Sequence, residues 1–482
     1  MKKKIDLKLY PISVYIYFFL PFLLFSFFWM KSYIAIPVIL ILILCLFRMC
    51  KKPGIHAQIF WNKQDKKKIL LIIGIICFWV GISGVGGFSY QTDDHLWRNA
   101  IFETLVYEDW PVVSEQNIDG ILTRRGFSYY MGFWMPAASV AKVFGIQVGY
   151  FAQVVWAVIG IFLFYYGVCL LKKKIVVWPL IVFIFFSGMD IVGYYITGVD
   201  INALSPQEHI EWWTSFQYSS MTTQLFWVFN QCIPAWILTV LLLLENSNKY
   251  IAILLALSMT NCTLPFVGVL PLAIYLIFSR RYSQCNNKWN VWLKDTFTLE
   301  NILGGAVVGI ISLLFLMKTG SGSDISLIDF SNGGWMVYVV FLLVEIGGIC
   351  FSIFSYHKNN PIFHIALIWL LICPMLNMYG GDNFCMRASI PALLMLYLCV
   401  VYALEEAFKL KNYMRLISIV IVLCIGAVTP CHEIVRSIAQ TEYKHKAGEN
   451  VRVESVGIDA VMQNDYESCN ADRNYFYKYI AK

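Results

Sequence analysis

The nineteen residues Ile69 to Gly87 and the twenty-four residues Val148 to Leu171 contain no charged side chain. At about 1.5 Å per helical residue, each run reaches roughly the 30 Å thickness of membrane hydrocarbon. Several such runs leave a chain little choice. Backbone amides and carbonyls in lipid must bond to one another, and only helices do this within one segment. Charged residues make up 14% of the chain, against about a quarter in a soluble domain. The sequence therefore predicts an all-α fold: a polytopic membrane bundle of about 11–13 transmembrane helices with extracytoplasmic juxtamembrane helices.

Basic residues gather in short segments, at 2–8, 48–68, 172–174, 279–294, 357–360 and 409–415. Placing these segments together on the cytoplasmic side predicts spans near 10–30, 33–49, 69–89, 147–171, 175–198, 223–244, 300–318, 333–355, 361–379, 388–405 and 414–429. The basic start followed by a long apolar run, with no small-residue cleavage site, reads as a retained first span. Residues 250–279 are long for one span and short for two, which predicts a hairpin broken near Asn261 to Pro265. Residues 129–145, "YYMGFWMPAASVAKVFG", suit a juxtamembrane helix or a short crossing. The expected organisation is a transmembrane domain over 1–429, with 90–128 as an outer loop of catalytic type, and an extracytoplasmic tail over 430–482. The net charge of +7 follows from the basic segments and is no footprint of nucleic acid. Of fourteen cysteines, Cys385, Cys431 and Cys469 fall on the expected outer side, where Cys431 and Cys469 form a candidate disulfide.

In so apolar a chain, "TDDHLWRNAIFETLVYEDWPV" is unusual. Two carboxylates, Asp93 and Asp94, directly precede His95 and Arg98 where a span ends. On a helix His95 and Arg98 share one face. Capping accounts for one aspartate but not for two followed by histidine. A second constellation, "YGGDNFCMRAS", holds Asp382, Asn383 and Arg387 between two spans. It suits a polar turn, and Arg387 there suits either snorkelling or a bidentate grip on phosphate. A third, "PQEHIEWWTS", carries Glu208, His209, Glu211, Trp212 and Trp213; paired tryptophans form interfacial belts and also stack on sugars. Asp190 lies within an expected span and should face the bundle interior. Asn230 and Gln231 read as polar glue between helices or as lining of the same interior cavity, with glue the preferred reading. No nucleotide-binding glycine loop and no nucleophile elbow occurs.

An acidic pair opening an outer loop, followed by "HLWRNAIFETLVYEDWPV" and the "YYMGFWMPAASVAKVFG" helix, resembles the GT-C class of integral-membrane glycosyltransferases. That class includes protein O-mannosyltransferases and the aminoarabinose transferases of lipid A. The likeness is one of layout over the N-terminal half, and here the loop follows the third expected span, so two spans would precede the shared part. The resemblance implies a polyprenyl-phosphate-linked sugar donor, a glycan, lipid or protein acceptor, membrane lipids as surroundings, no nucleic-acid partner, and a bacterial cell membrane with the chemistry outside. It places Asp93 or Asp94 as the catalytic carboxylate, and Asp190 or Glu208 at a second acidic position. Arg387, helped by Arg98, would hold the phosphate, and Trp212 and Trp213 would shape the sugar site. A divalent ion between carboxylate and phosphate suits this chemistry, and the sequence does not decide whether one is used. A transporter or flippase for lipid-linked saccharides, or a polysaccharide polymerase or ligase, would draw on the same residues.

Overall fold

The computed structural model describes residues 3–6, 9–55, 58–62, 64–118, 120–198, 209–285, 287–317, 326–327, 333–377 and 383–482. Among them, eight helices are long and apolar enough to cross a bilayer. There are nine if Trp289–Thr296 and Glu300–Leu316, which meet at 49°, make one broken span. The fold is the polytopic helical bundle that the apolar runs predict. Fewer helices pass as full spans because several expected ones are short or broken. The run 175–198 is two helices, Trp178–Ile184 and Asp190–Thr197, joined by irregular backbone. The third expected span is the seventeen-residue helix Asp65–Gly81. The run 250–279 breaks between Ile251–Met259 and Thr263–Ser283, at Asn261 and its neighbours. Residues 129–145 supply the ten-residue helix Met135–Phe144, with proline in its first turn.

One helix sits at the centre. Every residue of Met221–Leu244 up to Leu242 is buried, as expected of a helix apolar on all sides. Ser220 starts it, its hydroxyl accepting from the Thr223 amide at 3.0 Å. Helical geometry lapses at Val228 (φ −133°, ψ 38°), one turn before the buried Asn230 and Gln231. The helices Ile146–Leu171, Thr263–Ser283, Ile390–Lys409 and Val428–Ala447 pack around this post.

The small sheet at one end has no clear sequence signal. Strands Val113–Ile118 and Ile121–Phe127 form a hairpin with Ile118 opposite Ile121, and Gly120 (φ +80°) turns it. Ser468–Asn470 adds a third strand, with Cys469 opposite Gly126. The 429/430 boundary expected between two domains falls inside the helix Val428–Ala447. Beyond that helix the tail folds back along the 90–128 loop. Val456 donates its amide to the Leu96 carbonyl (3.3 Å), and Asn99 donates to the Val453 carbonyl (3.1 Å). The Cys431–Cys469 disulfide is absent. Cys469 is buried in the sheet with its thiol on the Gly126 carbonyl, and Cys431 is exposed on a helix.

Arg125 pins the tail. Its buried guanidinium donates to Asp465 (2.6 Å), to the Met462 carbonyl (3.1 Å) and to the Ser468 hydroxyl (2.7 Å). Arg125→Met keeps the apolar stem and removes these bonds, at roughly 1–3 kcal/mol for the acceptors left buried. The expected outcome is faster limited proteolysis within 450–482, with the bundle still extracted as a folded monomer. Unchanged cleavage would show that the tail is held by packing alone.

Candidate functional site

The helix Asp94–Tyr107 begins where the third expected span ends. Neither aspartate caps it by side chain: Asp93 sits at the N-cap in helical geometry with no capping bond. The pair then divides. Asp93 is exposed, whereas Asp94 is half-buried and pairs at 3.0 Å with Arg98, one turn further on. Arg98, itself buried, also donates to the Tyr129 hydroxyl at 3.2 Å. The Tyr129 ring lies 3.7 Å from that of Tyr130. The Tyr130 hydroxyl stands 3.0 Å from that of Tyr466, delivered by the folded-back tail, and accepts from Gln231 at 3.1 Å.

Arg387 reaches the same tyrosines from the helix Asn383–Ala388. It is buried, and among the described residues it donates only to Asn383, to the carbonyl at 3.3 Å and to the side-chain oxygen. No ion pair of Arg387 occurs among the described residues. The Nε atoms of Arg98 and Arg387 are both buried without a hydrogen-bond partner. Burial works against the Arg387 cation. The phenols of Tyr466 and Tyr130 favour it, Arg98 opposes it and Asp94 favours it, and the net effect is upward. Two guanidiniums thus stand within electrostatic range of one group of tyrosines, and Asp94 pairs with the first of them, Arg98.

His95 lies on the inner side of this cluster. Its Nδ1 is 3.1 Å from the Thr92 hydroxyl, its ring stacks along Phe229, and its Nε2 is buried without a partner. Burial and then Arg98 draw its pKa down to about 3, so the imidazole is neutral near pH 7. Just beneath, both polar atoms of the Asn230 side chain are buried and unpartnered. Gln231 bonds to Tyr130, across from the glue role expected of it.

A flank of the site is aromatic. His209, drawn down to about 4 chiefly by burial, lies between Trp212 (centroids 4.6 Å) and Trp227 (4.9 Å). The Trp227 indole donates to Glu433 at 3.0 Å, and Glu433 pairs with Arg436. Trp212 is 49% exposed and offers its face outward. Trp213 turns the other way, donating to Glu345 at 3.3 Å.

That bond leads to a second, acidic centre. Asp190 accepts from Thr429 (2.9 Å) and Ser187 (3.1 Å), at the break between the two short helices. Glu345 sits in the π-helical turn Leu343–Gly347, whose Val344 carbonyl takes the Met189 amide at 3.2 Å. Glu211 accepts from Gln217 (2.7 Å) and from the Ser220 amide (2.8 Å). Burial, and then Asp190, push Glu211 up to about 8. All three carboxyl groups are buried; His209 Nδ1 stands 4.0 Å from Glu211, and no lysine or arginine pairs with any of the three among the described residues.

Of the residues singled out from the sequence, the structure gathers Asp94, His95, Arg98, Asn383 and Arg387. It leaves Asp93 in solvent and puts Asp190 and Trp213 in the acidic centre, with Trp212 at the rim between. Glu208 and Asp382 lie outside the described residues. Tyr129, Tyr130 and Tyr466 were not singled out from the sequence, because tyrosines in aromatic-rich segments carry no spacing signal. Glu345 did have one: a carboxylate in the apolar run "FLLVEIGGIC". Among the described residues no three His, Cys, Asp or Glu side chains converge as metal ligands do. Compared with models of protein families, with curated proteins and with solved structures, the chain has no match.

The neutral histidines make the site acid-sensitive. An unfolded histidine takes up a proton near pH 6.5, whereas folded His95 does so near 3 and His209 near 4. Their contribution to stability is complete above about pH 6.5 and is lost as the pH falls towards those values. Thermal melts of the detergent-extracted protein should therefore weaken from pH 6.5 to 4, and His95→Asn should flatten that slope. An unaltered slope in the variant would show that His95 is charged in the folded protein.

Proposed function

We propose that this chain is an integral-membrane glycosyltransferase of GT-C type, moving a sugar from a polyprenyl-phosphate donor to an acceptor hydroxyl on the outer side. The observation that carries the reading is the pair of buried guanidiniums, Arg98 and Arg387, with Asp94 as the carboxylate beside them. A phosphate would meet complementary charge and geometry there, and a planar guanidinium grips it bidentately. The acceptor oxygen attacks the anomeric carbon and the carbon–oxygen bond to the phosphate breaks. The electron pair leaves on the phosphate oxygen, which Arg387 stabilises, while the acceptor proton passes to Asp94. Arg98 orients Asp94 through their 3.0 Å pair. Trp212, exposed at the rim, offers a stacking face for the sugar. The cavity beside Ser128, Tyr129, Tyr130 and Tyr466 is about 60 Å³, enough for water, so donor entry has to move a tyrosine side chain aside.

One observation favours a second reading, a transporter of lipid-linked saccharides. The carboxyls Asp190, Glu211 and Glu345 lie where helices break or bulge, and buried carboxyls on discontinuous helices are a common device of ion-coupled transport.

Reconstituted protein given a radiolabelled polyprenyl-phosphate sugar separates the two. The transferase reading expects Asp94→Asn to lower transfer roughly 10²–10⁴-fold with donor binding retained. It expects Arg387→Lys to weaken donor binding with folding intact. Glu345→Gln should leave the chemistry measurable. Full transfer with Asp94→Asn would remove Asp94 as the base, and donor translocation without transfer that is lost in Glu345→Gln would replace the enzyme by the transporter.

A further inference from the structure

The other end of the bundle holds a larger cavity. The helix Ile146–Leu171 is 26 residues long, roughly 39 Å. Near its start Tyr150 bonds to Glu103 of the helix that opens the candidate site (3.1 Å); its last residue, Leu171, lines an open cavity of about 640 Å³. This end carries the basic segments 172–174 and 357–360.

The cavity has two kinds of wall. Leu171, Leu243 and Leu398 form an apolar side, and the segment from Ser355 to Asn360 forms a polar one. The polar wall is built for an anion. The Lys358 ammonium and Asn359 amide are exposed in it, and the Tyr356 hydroxyl is buried without a partner. Asn360 caps the helix Pro361–Ile372, accepting from the Ile362 amide at 3.0 Å, so the positive end of that helix also faces the cavity. His357 fixes this wall: one ring nitrogen lies 2.9 Å from the Cys399 carbonyl and the other 2.9 Å from the Asn360 side chain. Among the described residues no carboxylate lines the cavity. Just beyond Leu171, Lys172 and Lys174 share the single acid Glu405, at 2.5 and 3.1 Å, which leaves positive charge in excess.

We infer that this cavity binds an anionic phospholipid of the leaflet on the basic side, its phosphate at Lys358 and the end of the helix Pro361–Ile372, its first chain carbons along Leu171, Leu243 and Leu398. The charge excess selects an anion, and the apolar wall selects one with a hydrocarbon tail over a free phosphate. This site is separate from the transferase reading and stands or falls without it.

Native mass spectrometry of the purified full-length protein, titrated with phosphatidylglycerol and with phosphatidylcholine, tests the inference. Phosphatidylglycerol should be retained preferentially. A lysine near the membrane surface is worth about 1 kcal/mol, so Lys358→Gln should weaken retention about fivefold and Lys358→Glu about thirtyfold, with phosphatidylcholine unaffected. Lys67→Glu makes the same charge change at an exposed lysine outside the cavity and should leave retention unaltered. Equal retention of the two lipids, or an equal loss in Lys67→Glu, would overturn the site. Displacement of the lipid by millimolar inorganic phosphate would overturn its assignment to a membrane lipid.

Discussion

A charged side chain inside this bundle has no bulk water to hold it, so its neighbours must. The buried arginines show two ways in which that demand is met. Arg280 is spent on structure: it donates to the carbonyls of Ser247 (2.9 Å), Leu242 (2.9 Å) and Glu245 (2.5 Å). Those acceptors belong to the end of the central helix and the turn after it, where free carbonyls and the helix dipole both favour a cation. Arg125 is likewise spent on the tail. Arg98 and Arg387 are not used up in this way. Each keeps a buried nitrogen without a partner, and only Arg98 has a carboxylate, Asp94. The distinction rests on bonding and not on burial, which is similar for all four.

The central helix makes this arrangement possible. Its residues are apolar enough to be covered on every side, and its irregular turn at Val228 comes just before Asn230 and Gln231. Gln231 reaches Tyr130, and through the tyrosines the interior of the bundle is joined to a tail more than two hundred residues later in the chain. Loop, post and tail therefore contribute to one cluster. Removing the tail would leave Tyr130 without the Tyr466 hydroxyl and would open the flank of the helix Asp94–Tyr107.

The sequence showed the helices well, because the signal for a span is local: a run of apolar residues of the right length. The break at Asn261 and the short helix after Trp134 were visible for the same reason, through polar and proline residues interrupting a run. The third strand of the sheet was hidden, since Ser468–Asn470 is three residues long and its partner lies more than three hundred positions away. The division of labour between Asp93 and Asp94 was hidden too. Adjacent residues on a helix point about 100° apart, and only the packing of Arg98 against Tyr129 decides which of them faces the cluster. Asp190 was expected to face inward and does, but its companions Glu211 and Glu345 come from distant segments, so the acidic centre could not be assembled from spacing.

The two centres have opposite electrostatic character within one bundle. Around Arg98 and Arg387, cations outnumber carboxylates and phenols supply weak hydrogen bonds. Around Asp190, Glu211 and Glu345, the partners are hydroxyls, an amide and an indole, all of which donate without adding charge. In the acidic centre, burial and then Asp190 favour the protonated form of Glu211, which relieves repulsion there. A guanidinium has no such release, because its proton does not leave at any physiological pH. The cationic centre therefore carries a standing cost that only an anion offsets, and breaking a buried charge pair elsewhere costs on the order of 3–5 kcal/mol. A phosphate seated at Arg98 and Arg387 would return energy of that order to binding, whereas the buried carboxyls of the acidic centre offer it no opposite charge. Of the two centres, the cationic one beside Asp94 is therefore where a phosphate would find its charge met.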